Sequence, residues 1–119
     1  MNEETSAVVM ELAGDLMRCC DNAQSDPAWE RAFYRFEGES SWCRTNGVQV
    51  AGSEVEFLDA PSSMQKNGEK LRGLLGKDQC LFLLEVDANA RYNIKFDFEN
   101  MKRWKISKQN GASGLPVDD

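Results

Sequence analysis

Apolar residues recur along this chain with two different periods, and the changes of period divide it into elements. Residues 3–21, EETSAVVMELAGDLMRCCD, place Val8, Val9, Leu12, Leu16 and Cys19 or Cys20 on one stripe at helical spacing. Thr5 or an earlier residue is suited to cap that helix, and Glu3 and Glu4 suit its positive N-terminal end. Residues 22–27, NAQSDP, have the composition of a loop. Residues 28–37, AWERAFYRFE, then change to period two: Ala32, Tyr34 and Phe36 share one face, Phe33 takes the other, and Trp29 leads in. Gly38 is expected to end this strand. SSWCRTNGVQVAG reads as two short strands around Asn46-Gly47, a dipeptide suited to a tight hairpin. Gly52-Ser53 is a second turn before EVEFLDA, where Val55 and Phe57 are expected to point inward and Glu54, Glu56 and Leu58 outward.

A second helix starts at Pro61-Ser62-Ser63 and runs to about Leu75, with Met64, Leu71, Leu74 and Leu75 as its apolar stripe and Gly76 as its stop. Gly68 costs such a helix about 1 kcal/mol relative to alanine, which predicts a shorter helix or a late start. CLFLLEVD, residues 80–87, is almost continuously apolar and reads as a central strand. Residues 87–90 turn into ARYNIKFDFEN, where Tyr92, Ile94, Phe96 and Phe98 alternate with Arg91, Asn93, Lys95, Asp97 and Glu99. Such regular alternation predicts one face in a core and one in water. ENMKRWKIS is a final turn or short helix carrying Trp104, and QNGASGLPVDD has the composition of a disordered end. The predicted class is α+β: an antiparallel sheet of five to six strands packed against two helices, in the order α-β-β-β(-β)-α-β-β. One domain spans residues 1–108, with a tail over 109–119.

Charge adds a functional constraint. Residues 1–40 hold nine acids against three bases, which accounts for the whole net charge of −6, while the rest of the chain is balanced. An acidic end argues against nucleic acid and favours a basic partner drawn in by long-range attraction. No apolar run approaches the roughly 20 residues of a membrane span, and MNEETSAVVMELAG is acidic where a secretory signal is basic, so a cytoplasmic location is expected.

The chemistry available to the chain is narrow. It has no histidine, so the commonest general base is missing and a cysteine nucleophile lacks its usual activator. Cys19, Cys20, Cys43 and Cys80 form no CxxC spacing and read as thiols of a reducing compartment, with neither metal nor cofactor expected. GLLGK at 73–77 lacks the hydroxyl that follows lysine in a phosphate loop and reads as a helix end. Lys95, Asp97 and Glu99 share a strand face, as in some metal-dependent nucleases, but the Glu-x-Lys step is absent and favourable cross-strand charge pairing explains them as well. The expectation is a binding protein and not an enzyme. Trp42, set among Ser40, Ser41 and Arg44, is the best candidate for an exposed anchor.

The opening aromatic strand from Trp29 through Phe33, Tyr34 and Phe36, the helix with Leu71, Leu74 and Leu75, then LFLLEVDANARYNIKFDFEN with Trp104 close behind, resemble the YezG-like immunity proteins of bacterial polymorphic toxin systems over residues 5–108. That resemblance implies a cytosolic antitoxin, monomeric or weakly dimeric when free, that binds the C-terminal toxin domain of a secreted or contact-delivered effector. Such toxins are frequently nucleases with basic active sites, and no catalytic residue carries over. Physical reasoning selects Glu37, Glu39, Glu54, Glu56, Asp59, Asp97 and Glu99 as the partner-binding acids, with Trp42 as anchor. The competing resemblance is to type III secretion chaperones, small acidic dimers that hold an extended effector segment.

Overall fold

The first helix, α1 (Glu3–Ala23), starts where the extended Asn2 accepts the Thr5 N–H on its Oδ1 at 2.9 Å, with Glu3 and Glu4 in the first turn facing the positive helix end. Val8, Val9, Leu12, Ala13, Leu16 and Cys20 form its buried stripe. These features belong to a computed structural model, which describes residues 2–117.

Three strands follow, β1 (Arg31–Glu39), β2 (Cys43–Ala51) and β3 (Glu54–Leu58), then the helix α2 (Ser62–Leu74) and two more strands, β4 (Gln79–Asp87) and β5 (Tyr92–Asp97). The strands form one antiparallel sheet in the order β3-β2-β1-β4-β5, and the class is α+β as expected. A 3-10 turn at Gln109–Gly111 lies near the C-terminal end. Both helices pack on one face, over Ala32, Tyr34 and Phe36 of β1 and Phe82, Leu84 and Val86 of β4. The Phe36 and Phe82 rings stack with centroids 5.0 Å apart, and Phe96 meets Phe82 edge-on at 6.1 Å. Among the described residues no helix is long and apolar enough to cross a membrane.

Several expectations change. Gly38 does not end β1; the strand continues to Glu39, and the turn into β2 closes where the Glu39 N–H donates to the Trp42 carbonyl at 2.9 Å. Asn46-Gly47 is not a hairpin turn but lies inside β2, in register with Arg35 and Tyr34. A chain reversal there would strip half of β1 of its partner, so the longer ladder prevails over the local turn preference of the dipeptide. Gly68 does not shorten α2. It is buried, and a Cβ on it would come within 2.4 Å of the Phe36 ring, so the glycine is what lets the helix sit on β1.

The largest difference lies on the other face of the sheet. Along β5 the polar row meets water at Asn93 and Lys95, as the alternation predicts, but over the inner strands Phe33, Val48, Leu81 and Leu83 form a second apolar cluster under Trp104 and Ile106, with Leu115 packed at its margin. The chain after β5 thus folds back as a strap. Residues 109–117, which composition assigns to a disordered end, are part of it: the Gly114 N–H donates to the Ser107 carbonyl and the Val117 N–H to the Lys105 carbonyl, each at 3.0 Å. Residues 118–119 of the expected tail lie outside the described residues.

Arg35 fastens the strap. Its guanidinium is buried on the strap side, donating from Nε to the Arg103 carbonyl at 2.9 Å, from Nη2 to the Met101 carbonyl at 2.7 Å, and from Nη1 to Glu37 at 3.0 Å. A buried charge is tolerable only when paired and hydrogen-bonded, and all three nitrogens of this fork meet an oxygen.

Candidate functional site

The eight residues selected from the sequence fall into two groups. Glu37, Glu39, Trp42, Asp97 and Glu99 come from the last residues of β1, the β1–β2 turn, the end of β5 and the turn that follows it, at one end of the sheet. Glu54, Glu56 and Asp59 lie on β3 and its exit, at the edge of the sheet opposite β5.

Two members of the first group are committed inside the protein. Glu37 is half-buried against Arg35. Asp97 accepts the Glu99 N–H at 2.9 Å and the Asn100 N–H at 2.8 Å on Oδ1, while the Arg103 Nη1 meets Oδ2 at 3.1 Å. Those backbone donors and the guanidinium hold its carboxyl below the usual aspartate range. Asp97 is therefore the anchor of the turn that launches the strap. Glu39 is half-buried, and Glu99 is exposed. Trp42 is 41% exposed with the Arg44 guanidinium 5.9 Å from its ring centroid, an arrangement that keeps the indole out of the core.

The second group is open. Glu54, Glu56 and Asp59 are exposed, and so is Phe57, at 53%. The sequence places Phe57 inward and Leu58 outward; the structure reverses the pair, with Leu58 packed against the helix-side core. Two adjacent apolar residues carry no periodicity, and the α1 surface beneath the end of β3 decides between them. A groove of about 520 Å³ opens where β3 leaves the sheet, lined by Asp15, Cys19, Phe57, Leu58, Asp59 and Pro61. Arg18 at its rim is paired with Asp15.

Beside β3 sits a residue that sequence reasoning passed over. Gln49 of β2 is 1% exposed, in register with Glu56, and its Nε2 lies 3.5 Å from the Glu56 Oε2. Its Oε1 has no hydrogen-bond partner among the described residues. A buried amide oxygen without a donor costs free energy, and here it lies next to an exposed carboxylate. The only sequence signal was a polar residue in the apolar alternation Val48-Gln49-Val50.

All four thiols are free. Burial pushes Cys20 up to about 12 and Cys80 up to about 11, and raises Cys19 and Cys43 as well. No family model matches the chain, and no curated protein is similar to it in sequence.

Proposed function

We propose that this protein is an immunity-type inhibitor that captures a basic toxin domain, of nuclease type, inside the cell that produces it. The observation that carries this reading is the β3 edge, where Glu54, Glu56 and Asp59 stand exposed beside the partly exposed Phe57 ring. Exposed carboxylates speed the encounter with a basic surface, and an aromatic ring supplies the apolar contact that slows release. The exposed acids of α1, Glu3, Glu4, Glu11 and Asp21, add to the negative charge that the molecule presents to a basic partner. A nuclease active site, built to hold phosphate, is a basic surface of the matching kind.

The test is co-expression with the C-terminal domain of the protein that the adjacent gene encodes. Rescue of growth together with a stoichiometric complex is the expected result. A toxic domain that kills unchanged and forms no complex would overturn the reading.

A second reading is favoured by one observation. The element order, helix, three strands, helix, two strands, is also that of the type III secretion chaperones. A stable homodimer that binds the N-terminal segment of an effector would select it.

A further inference from the structure

In a hairpin closed by a two-residue turn, the pair that flanks the turn exchanges hydrogen bonds and the next pair does not. Gly52-Ser53 closes the β2–β3 hairpin in this way, so Ala51 with Glu54 and Gln49 with Glu56 are the bonded pairs. The N–H and C=O groups of Val55 and Phe57 therefore point away from β2, toward the free edge of the sheet. Among the described residues no backbone group from elsewhere pairs with them. Four main-chain groups in a row, two donors and two acceptors, are set for another strand.

The side chains around that edge state what kind of strand would fit. On the helix side, Glu54 and Glu56 stand at alternate positions, and the buried Gln49 oxygen beside Glu56 has no donor among the described residues. On the strap side, Val55 and Phe57 are apolar, with the Lys108 Nζ 5.8 Å from the Phe57 ring centroid. We propose that β3 receives an extended segment of a basic protein as a sixth strand. Lys or Arg at alternate positions of that segment lies against Glu54 and Glu56, and apolar side chains lie against Val55 and Phe57. A cation entering beside Glu56 neutralises the carboxylate and brings N–H donors within reach of the Gln49 amide, the one buried oxygen at this edge still in need of one. Main-chain pairing supplies the affinity, and the two alternating rows supply the selection. A second β3 in the same place would set Glu54 and Glu56 against themselves, which like charges disfavour.

This inference rests on the reading of the protein as an acidic capture module and adds how the capture is made. The probe is a fluorescein-labelled decapeptide of alternating Lys and Val. Its control carries the same charge but has Pro at every Val position, which removes the N–H groups a ladder needs. Fluorescence anisotropy should show the first peptide binding and the second binding at least about tenfold more weakly. Amide exchange measured by NMR on the unmodified chain should show Val55 and Phe57 exchanging fast in the free protein and slowly in the peptide complex, with Glu54 and Glu56 protected in both. The variant Phe57→Pro, whose lost N–H faces away from β2, should abolish the difference between the peptides. Glu54→Lys with Glu56→Lys should weaken the alternating peptide about tenfold or more.

Equal binding of both peptides, or unchanged exchange at Val55 and Phe57, overturns the proposal. So does a homodimer lost in Phe57→Pro, which would give the edge to a second copy. If the toxin domain binds wild type and both variants alike, the edge is not the site and the immunity reading stands. If the toxin domain fails to bind while the peptide adds to β3, the edge stands and the immunity reading falls.

Discussion

Gly68 of α2 lies so close over the Phe36 ring of β1 that a methyl group there would approach Cδ2 to 2.4 Å. Phe36 cannot easily give way, because its other face stacks on Phe82 at 5.0 Å. Helix propensity alone favours alanine at this position by about 1 kcal/mol. Overpacking a filled core opposes it by about 1–3 kcal/mol. Gly68→Ala is therefore expected to lower the urea midpoint of unfolding, and a raised midpoint would show that the ring moves aside freely.

Arg35 joins the sheet to the strap, and its removal should be felt in both. Arg35→Met leaves the Met101 and Arg103 carbonyls without their donor and Glu37 without its cation. Breaking a buried ion pair by deleting one partner costs about 3–5 kcal/mol. Trp104, which the strap buries against the sheet at 3% exposure, should then shift its fluorescence to longer wavelength. Arg35→Lys keeps the charge without the planar fork and should fall between. An unchanged denaturation midpoint for Arg35→Met would remove the strap from the stability of the fold.

Asp97 gives the acid limb of stability a definite sign. Its carboxyl is held below the ordinary aspartate value by the Asn100 and Glu99 amides and by Arg103. As pH falls, the unfolded chain takes up this proton before the folded chain does. The contribution of Asp97 is thus complete above the ordinary aspartate value and is lost as pH falls through the folded one. Asp97→Asn should flatten the decline in urea midpoint in that acid range. Parallel curves for the variant and wild type would show that Asp97 plays no such part.

The cysteines should divide by accessibility when native protein is treated with iodoacetamide near pH 8. Only the thiolate reacts, and Cys20 and Cys80, pushed up to about 12 and about 11, stay protonated and buried. Cys19 and Cys43 are half-buried and should be labelled first, though slowly, because burial raises both. Mass spectrometry of peptides after timed labelling reads the order. Early modification of Cys80 would contradict the packing of β4.

What the sequence determined by itself was periodic. The buried stripes of α1 and α2, the inward row Ala32, Tyr34 and Phe36, and the alternation of β5 follow from spacings of 3.6 and 2.0 residues, and they gave the α+β class and the order of elements. What the tertiary structure decided was every choice between locally equal options. Asn46-Gly47 is as good a turn as a strand segment until β1 needs a nine-residue partner. Phe57 and Leu58 are equivalent until α1 covers one of them. The acids selected for a partner looked alike in the sequence, yet Glu37 and Asp97 are held by Arg35 and Arg103 while Glu54 and Glu56 face solvent at an open edge. The strap was illegible because its polar, glycine-containing composition carries no period. Its order comes from the Arg35 fork and from Trp104 and Ile106 covering a sheet face, contacts between residues far apart in the chain that no local pattern encodes.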